Sequence, residues 1–430
     1  MSNSSASSPA STGGNYRWVI CCLLFMATSI NYIDRQILSL LKPDYLDPAI
    51  GWTNEQFGYV TAFFQAAYAI GLFFFGWFID KYGTKIGYTV SIVWWSLAAM
   101  GHALVMSFWG FVAARIALGL GEGGNFPAAI KTTAHWHPKK ERAFATSLFN
   151  SGANVGAILA PATIPWIAAA YGWHAPFVIA GLLGFVWLVF WVIYYEIPER
   201  QHRLQAAERE YIESDRENEL AEERIGWWRL LNYRQTWSFI VAKFLTDPVW
   251  WFFLTWLPDF FKRTRGLDLK HMGLPLVTIY TIVTVLSIAG GYFTGHLIGK
   301  GWPVSRARKT GLLVFALCVL PIFLATQMDL WGAVALIGLA GAAHQAWSAN
   351  LFTSVSDMFP KRAIASVIGM GGMAGSFGGM LFPIFAGRLL DKLPGQGGYA
   401  ILFTICGSLY LIALAFNQLL APKFDRVKLD

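Results

Sequence analysis

Apolar runs of about 20 residues follow one another along nearly the whole chain, each closed by a short polar break. A helix needs about that length to cross the hydrocarbon core of a bilayer. The runs predict twelve membrane-spanning helices, over residues 17–41, 55–79, 85–106, 109–133, 142–170, 173–196, 236–262, 271–299, 309–327, 331–357, 362–390 and 397–420. One long polar stretch, 197–235, carries mixed charges and reads as one or two surface helices in a solvated linker. The first 15 residues, rich in Ser, Ala and Gly, have neither a basic start nor an apolar core and read as a disordered tail rather than a signal peptide. The expected organisation is therefore a tail (1–15), a six-helix bundle (16–196), the linker, a second six-helix bundle (236–420) and a short tail (421–430).

The two halves resemble each other. "HPKKERAFATSLFNSGANVGAILAP" (137–161) aligns with "FPKRAIASVIGMGGMAGSFGGMLFP" (359–383), and the same offset pairs Gly119 with Gly341 and Glu122 with His344. "GWFIDK" (76–81) likewise matches "GHLIGK" (295–300). Two six-span repeats about a central linker predict an all-α membrane protein of two pseudo-symmetric bundles, with a transport site between them near the midplane.

Composition agrees: of 430 residues, 55% are hydrophobic and only 13% charged, about half the charged share of a soluble protein. The net charge of +8 fits basic loops on one membrane face, and nucleic acid is not an expected partner. Lys81, Lys85, Lys139, Lys140, Arg142, Lys300, Arg306, Arg308, Lys309, Lys361 and Arg362 fall in loops on the side of the termini, which places both termini in the cytoplasm. Lys262, Arg263, Arg265 and Lys270 are a local exception on the opposite side. The four cysteines lie in apolar runs and suggest neither disulfides nor a zinc site.

Charges inside the spans need a reason. Span one contains "NYIDR" (31–35), and Asp34 and Arg35 would each cost about 2.5–3.5 kcal/mol at a helix centre. Span four carries Arg115, Gly119 and Glu122 on one helical face. Two acids and two bases at membrane depth could be a structural clamp, but hydrophobic packing would serve that purpose as well. An arginine fork suits a substrate carboxylate, and burial disfavours the charged form of an acid, so a desolvated carboxyl can carry a proton. An anion that competes for an arginine releases its acid partner, a route to coupling anion and proton movement. In the second half no charges are expected on the cavity-lining spans. Trp250, Trp251, Thr255 and Trp256 in span seven, and His344, Gln345, Trp347 and Asn350 in span ten, offer rings, amides and hydroxyls suited to a polyhydroxylated substrate. His344 could also titrate, as a rival proton site. "GWFIDKYGTK" places Gly76 for close helix approach and Asp80, Lys81 and Lys85 at a cytoplasmic end where Asp80 could close a gate; the glycines at 119–124 and 369–379 would permit tight packing.

The twelve-span, two-repeat plan and "GWFIDKYGTK" resemble the major facilitator superfamily and its loop motif, with Thr84 in place of a basic residue. "NYIDR", "ARIALGLGEGGNFPAAIK" and "FNSGANVGA" resemble its anion:cation symporter branch, and "FLTDPVWWFFLTWLPDF" with "HQAWSANLFTSVSDMFPK" resembles the bacterial hexuronate transporters. The resemblance implies no enzyme and no cofactor, but a proton-coupled symporter, a monomer in the bacterial inner membrane, that imports glucuronate or galacturonate. Galactonate or another sugar acid is an alternative. On matching positions it implies Asp34 and Glu122 as proton sites, Arg115 as the base that pairs with an acid and controls its proton, and Arg35 as the substrate-carboxylate ligand beside Tyr32 and Tyr68. Asn154 stands in for a span-five glutamine that binds sugar in galactonate-type relatives. Exchange of an organic anion or phosphate on the same fold would leave the intramembrane acids without a role. A membrane enzyme or sensor finds no nucleophile with its base, no metal cluster and no soluble signalling domain in the chain.

Overall fold

The computed structural model describes residues 14–213 and 227–427. The side chains of Lys139, Lys140, Lys361 and Arg362 and most of the two predicted tails lie outside the described residues. Twelve helical passes succeed one another: α1 (Tyr16–Leu41), α2 (Asn54–Tyr82), α3 (Thr84–Gly101), α4 (Phe108–Glu122 and Asn125–Trp136), α5 (Lys139–Tyr171), α6 (His174–Tyr194), α7 (Arg234–Arg265), α8 (Leu269–Gly299), α9 (Val304–Val319, tightening into a 3₁₀ segment Leu320–Thr326), α10 (Leu330–Met358), α11 (Lys361–Lys392) and α12 (Gln396–Leu420). Eight are long and apolar enough to cross a membrane by length and composition alone. A break interrupts α4, and Lys243, Asp247 and Asp259 interrupt the apolar run of α7. Exposed side chains such as Phe73, Trp109 and Ile288 give the outside the apolar character that lipid requires.

Each passage starts where local chemistry dictates. Thr53 Oγ1 accepts from Gln56 N (3.1 Å) while Gln56 Oε1 accepts from Thr53 N (2.9 Å), a capping box that opens α2. Asp268 and Asp329 cap α8 and α10 through the backbone N–H three residues on. The continuous span expected over 109–133 is broken at Gly123–Gly124. A Cβ on Gly123 would run into the backbone of Gly71 in α2, and one on Gly124 into Ser91 in α3. Gly119 meets the Phe64 carbonyl in the same way, so α4 lies against α2 with almost no side-chain spacer and ends its first segment at Glu122.

The halves meet along α2 with α11 and α5 with α8. A Cβ on Gly58 would collide with the Pro383 carbonyl, one on Gly387 with the Asn54 carbonyl, and one on Gly273 would sit 2.8 Å from the Pro161 carbonyl. These contacts gather at the end of the bundle opposite the termini. A polar network reinforces them there. Lys42, fully buried in a π-helical turn (Lys42–Leu46) after α1, pairs with Asp259 of α7 (2.6 Å) and with Asp47 (2.9 Å). Asp259 also accepts from Arg263 (2.7 Å) and Tyr399 (2.5 Å). Arg263 and Lys42 both donate to Asn54 Oδ1; Lys262 pairs with Asp44, and Arg388 with Glu55. The basic exception noted after span seven thus has a structural role: Lys262 and Arg263 tie the halves together, and Arg265 donates to the carbonyls of Ala325 and Thr326.

At the end that carries the termini, the ion pairs Lys131–Asp80, Lys85–Glu196 and Arg308–Asp357 each join residues of one half. Among the described residues Asp80 pairs with Lys131 of its own half and with no residue of the second half, and Lys81 lies over the rings of Trp77 and Tyr82. The close approach expected at Gly76 is not made: a Cβ there would meet nothing within 4 Å. The described first part of the linker is less solvated than its charge pattern predicts. Glu208, in the helix Ala206–Glu213, is buried, accepts from the backbone N–H of Tyr16 and Arg17, and pairs with the Arg17 side chain (3.0 Å). Its carboxylate satisfies orphan donors of the first turn of α1.

Candidate functional site

A cavity of about 380 Å³ lies between the halves, within the usual range of small-molecule sites. Tyr32 of α1 and Ser147, Asn150, Ser151 and Asn154 of α5 line one wall. Lys243, Asp247, Trp250 and Trp251 of α7 with His344, Gln345 and Ser348 of α10 line the other. Six residues singled out from the sequence, Tyr32, Asn154, Trp250, Trp251, His344 and Gln345, thus share one space.

Arg35 lies just behind this floor. Its guanidinium is held among the rings of Tyr68 (4.5 Å), Tyr32 (5.1 Å), Phe64 (5.4 Å) and Trp251 (5.7 Å), and its Nε donates to Glu122 Oε2 (2.7 Å). The expected link between span one and span four is therefore made by this pair. Tyr32 and Trp251 are both cavity walls and covers over the arginine, so a carboxylate in the cavity is separated from Arg35 by two rings. Tyr68 touches the guanidinium but is not a wall.

Arg115 departs from expectation. Both its acidic neighbours attract it electrostatically, but it forms an ion pair with neither Asp34 nor Glu122 among the described residues. It stacks over Phe64 (5.3 Å) and reaches the Arg35 carbonyl at 3.4 Å. Arg35 occupies one oxygen of Glu122. Both oxygens of Asp34, the second oxygen of Glu122, Arg115 Nε and Asn31 Nδ2 are buried without a hydrogen-bond partner. Five such atoms from α1 and α4 meet here, and each unsatisfied buried polar atom is costly.

Trp347 is a correction. It is fully buried against Tyr410, with ring centroids 5.4 Å apart, and does not face the cavity. Its neighbours His344, Gln345 and Ser348 take the cavity face of α10, which turns position 347 toward α12. His344 is itself held, with Nδ1 2.6 Å from the Tyr410 hydroxyl and its ring stacked on Trp250 (5.6 Å, 3°). Trp256 packs against Phe57 of the first half (5.2 Å) and belongs to the closure opposite the termini, not to the cavity.

The second half was expected to carry no cavity charges, and this too is corrected. Lys243 and Asp247 line the cavity as an ion pair (2.8 Å). The signal was present in "AKFLTDP" (242–248), an acid and a base four residues apart within a predicted span, the same kind of anomaly as Asp34–Arg35. Pro248 follows directly. It cannot donate to the Phe244 carbonyl, and Gly378 of α11 closes against that carbonyl and the proline ring. Gly371, Gly375 and Gly379 also approach α7, so the glycine run of α11 is what brings α7 and its charges into place.

Comparison with known proteins bears on this arrangement. The Major Facilitator Superfamily family model matches residues 24–383. The chain is 30% identical over 410 residues to the hexuronate transporter of Escherichia coli (strain K12), covering 94% of each chain. It is 33% identical over 279 residues to the galacturonate transporter of Dickeya chrysanthemi, covering 64% of this chain and 81% of that one. A bacterial homolog to the human lysosomal transporter Spinster, in an inward-facing and unoccupied conformation, superposes with a TM-score of 0.76 at 18% identity over 96% of this chain and all of the other; that likeness concerns the fold alone. By the extent of the family match and the near full-length relative, this chain is a member of the Major Facilitator Superfamily.

Proposed function

We propose that this protein is a proton-coupled symporter that imports a hexuronate, such as glucuronate or galacturonate, across the bacterial inner membrane with both termini in the cytoplasm. The observation that carries the reading is the charge balance around the cavity. Asp34, Glu122 and Asp247 face Arg35, Arg115 and Lys243 in or beside one buried space, so the empty site sums to zero. A monoanion entering it would leave one uncompensated negative charge at membrane depth, which is expensive. One proton on a carboxylate restores neutrality. Asp34, buried without a hydrogen-bond partner, and Glu122, whose partner Arg35 is the base the anion would claim, are the acids for that proton. The hexuronate relatives support the choice of cargo.

In this mechanism the substrate enters with the cavity open to the outside, Tyr32 and Trp251 part, and Arg35 turns from Glu122 to the carboxylate. The sugar ring lies on Trp250 and Trp251 within reach of Asn154 and Gln345. Rocking of the halves then opens the end that carries the termini, and Arg115 draws the proton off. Uptake of labelled glucuronate into proteoliposomes under an imposed inward proton gradient tests this with Glu122→Gln. Gradient-driven accumulation should collapse in the variant while counterflow survives. Accumulation indifferent to the gradient, and equal in both proteins, would refute proton coupling.

A further inference from the structure

The cavity contains one charged pair to which the mechanism above assigns no contact with substrate. Lys243 Nζ lies 2.8 Å from Asp247 Oδ1, with the two side chains 6% and 17% exposed. The ammonium also lies 3.5 Å from Ser348 Oγ and 4.4 Å from the centre of the Phe352 ring. The carboxylate is seated against α11 where a Cβ on Gly375 would collide with it, so a glycine makes room for the acid. A buried ion pair contributes little to stability compared with apolar packing. Its presence on the wall of a cavity calls for a role in recognition.

Position along α7 indicates which part of a substrate it meets. At about 1.5 Å rise per residue, Asp247 is about 6 Å and Lys243 about 12 Å from Trp251, on the side toward the termini. Five C–C bonds of about 1.5 Å each give a six-carbon sugar acid a length of about 6 Å. With the carboxylate drawn to Arg35 at the floor, the other end of the molecule comes level with Asp247 and within reach of Lys243.

We propose that Lys243 and Asp247 form the subsite for the uncharged end of the sugar acid and select against substrates that carry a second carboxylate there. The proposal rests on the sugar-acid reading given above. A hydroxyl both donates and accepts, so Asp247 can accept from one and Lys243 donate to its neighbour without breaking their own pair. A second carboxylate would meet the like charge of Asp247, and the one ammonium beside it is already neutralised by that acid. Discrimination by a repulsive element is the economical device here, since the attractive contacts are common to both substrates.

Dissociation constants for D-glucuronate (one carboxylate) and D-glucarate (two) on the purified full-length protein test the assignment. Wild type should favour glucuronate by at least about tenfold, the scale that a like-charge contact supplies. Asp247→Asn should narrow that ratio about tenfold, chiefly through tighter glucarate, while Lys243→Met weakens glucuronate without rescuing glucarate. Arg35→Gln should abolish binding of both. The double variant Lys243→Gln/Asp247→Asn leaves no unpaired buried charge, and decides the matter if either single variant fails to fold; it should erase the preference. An unchanged ratio in Asp247→Asn or in the double variant, with both ligands lost in Arg35→Gln, overturns the subsite and leaves the sugar-acid reading intact. Failure of wild type to bind either anion overturns both.

Discussion

Lys42 offers the sharpest test of how the end opposite the termini is held shut. It is fully buried, donates to Asp259 (2.6 Å), Asp47 (2.9 Å) and Asn54 (3.0 Å), and packs over Phe57 and Trp256. Lys42→Met keeps the apolar stem and removes the charge. Breaking a buried pair from one side costs about 3–5 kcal/mol when the other charge is stranded. Asp259 is not stranded, because Arg263 (2.7 Å) and Tyr399 (2.5 Å) remain. The loss is then that of a charge-assisted hydrogen bond, in a range of about 1.5–3 kcal/mol. At about 2 kcal/mol the equilibrium between closed and open at this end shifts about 30-fold toward open.

Spin labels at Ala49 and Gln396, both exposed and on opposite halves, report this directly by electron–electron distance measurement. Lys42→Met should add a longer-distance population, and Lys42→Met/Asp259→Asn should enlarge it, because Arg263 and Tyr399 then lose their carboxylate as well. A distance distribution in Lys42→Met identical to that of wild type would refute the reasoning and reduce the network to decoration of an apolar contact.

Two further outcomes are expected. Gly123→Ala places a methyl group against the backbone of Gly71, which cannot yield as a side chain can, and should destabilise the fold by about 1–3 kcal/mol; Gly76→Ala, with open space around it, should leave the thermal midpoint unchanged, and equal midpoints for the two variants would count against the packing of α4 on α2. At the membrane edge, burial pushes the Glu141 carboxyl up, but hydrogen bonds from Arg17 and Tyr211 outweigh it and hold the group below its ordinary value. A depressed carboxyl contributes stability above its unfolded pKa and loses it as pH falls through the folded one, so the midpoint of wild type should exceed that of Glu141→Gln at neutral pH and the gap should close below about pH 4; a constant gap would argue against the ion pair.

Much of the architecture was legible because bilayer spans are a local property: length and hydropathy suffice for each run, and the twelve helices start and stop close to the predicted limits. The break in α4 was not legible, since glycine runs occur both within packed spans and at breaks, and the crossing of α2 at Gly71 decides between them. Arg35 and Glu122 could be found because a charge in an apolar run is conspicuous, whereas Tyr32 came from the family resemblance. Lys243 and Asp247 show the same signature and were overlooked near the polar start of their span. Trp251 and Trp347 look alike in the sequence; only the rotation of α10 against α12 shows that one is wall and the other core. The closure opposite the termini was beyond local reading altogether. Lys42, Asn54, Asp259, Arg263 and Tyr399 meet from four separate stretches of chain, and several of them lie at span ends where charges raise no question.

That closure and the cavity nevertheless share their supports. Along α1, Tyr32 and Arg35 border the site, and Lys42, about two turns further on, enters the network. Along α7, Lys243, Asp247, Trp250 and Trp251 border the site, and Trp256, Asp259 and Arg263 enter the network. A ligand that draws Arg35 away from Glu122 and parts Tyr32 from Trp251 pushes on the same two helices that Lys42 and Asp259 hold together. Rigid helices transmit such a displacement along their length, and α7 has prolines at 248 and 258, on either side of the site-to-network segment, where missing backbone bonds make bending least costly. Occupancy and closure are therefore coupled through two elements with a hinge at each end of one of them. Lys42→Met should accordingly alter glucuronate affinity although the side chain is remote from the cavity: weakening the closure favours the outward-open form, and the change in affinity is bounded by the factor by which glucuronate shifts that equilibrium. Equal affinities in Lys42→Met and wild type, alongside a shifted Ala49–Gln396 distance, would mean that the cavity binds its ligand equally well in both conformations.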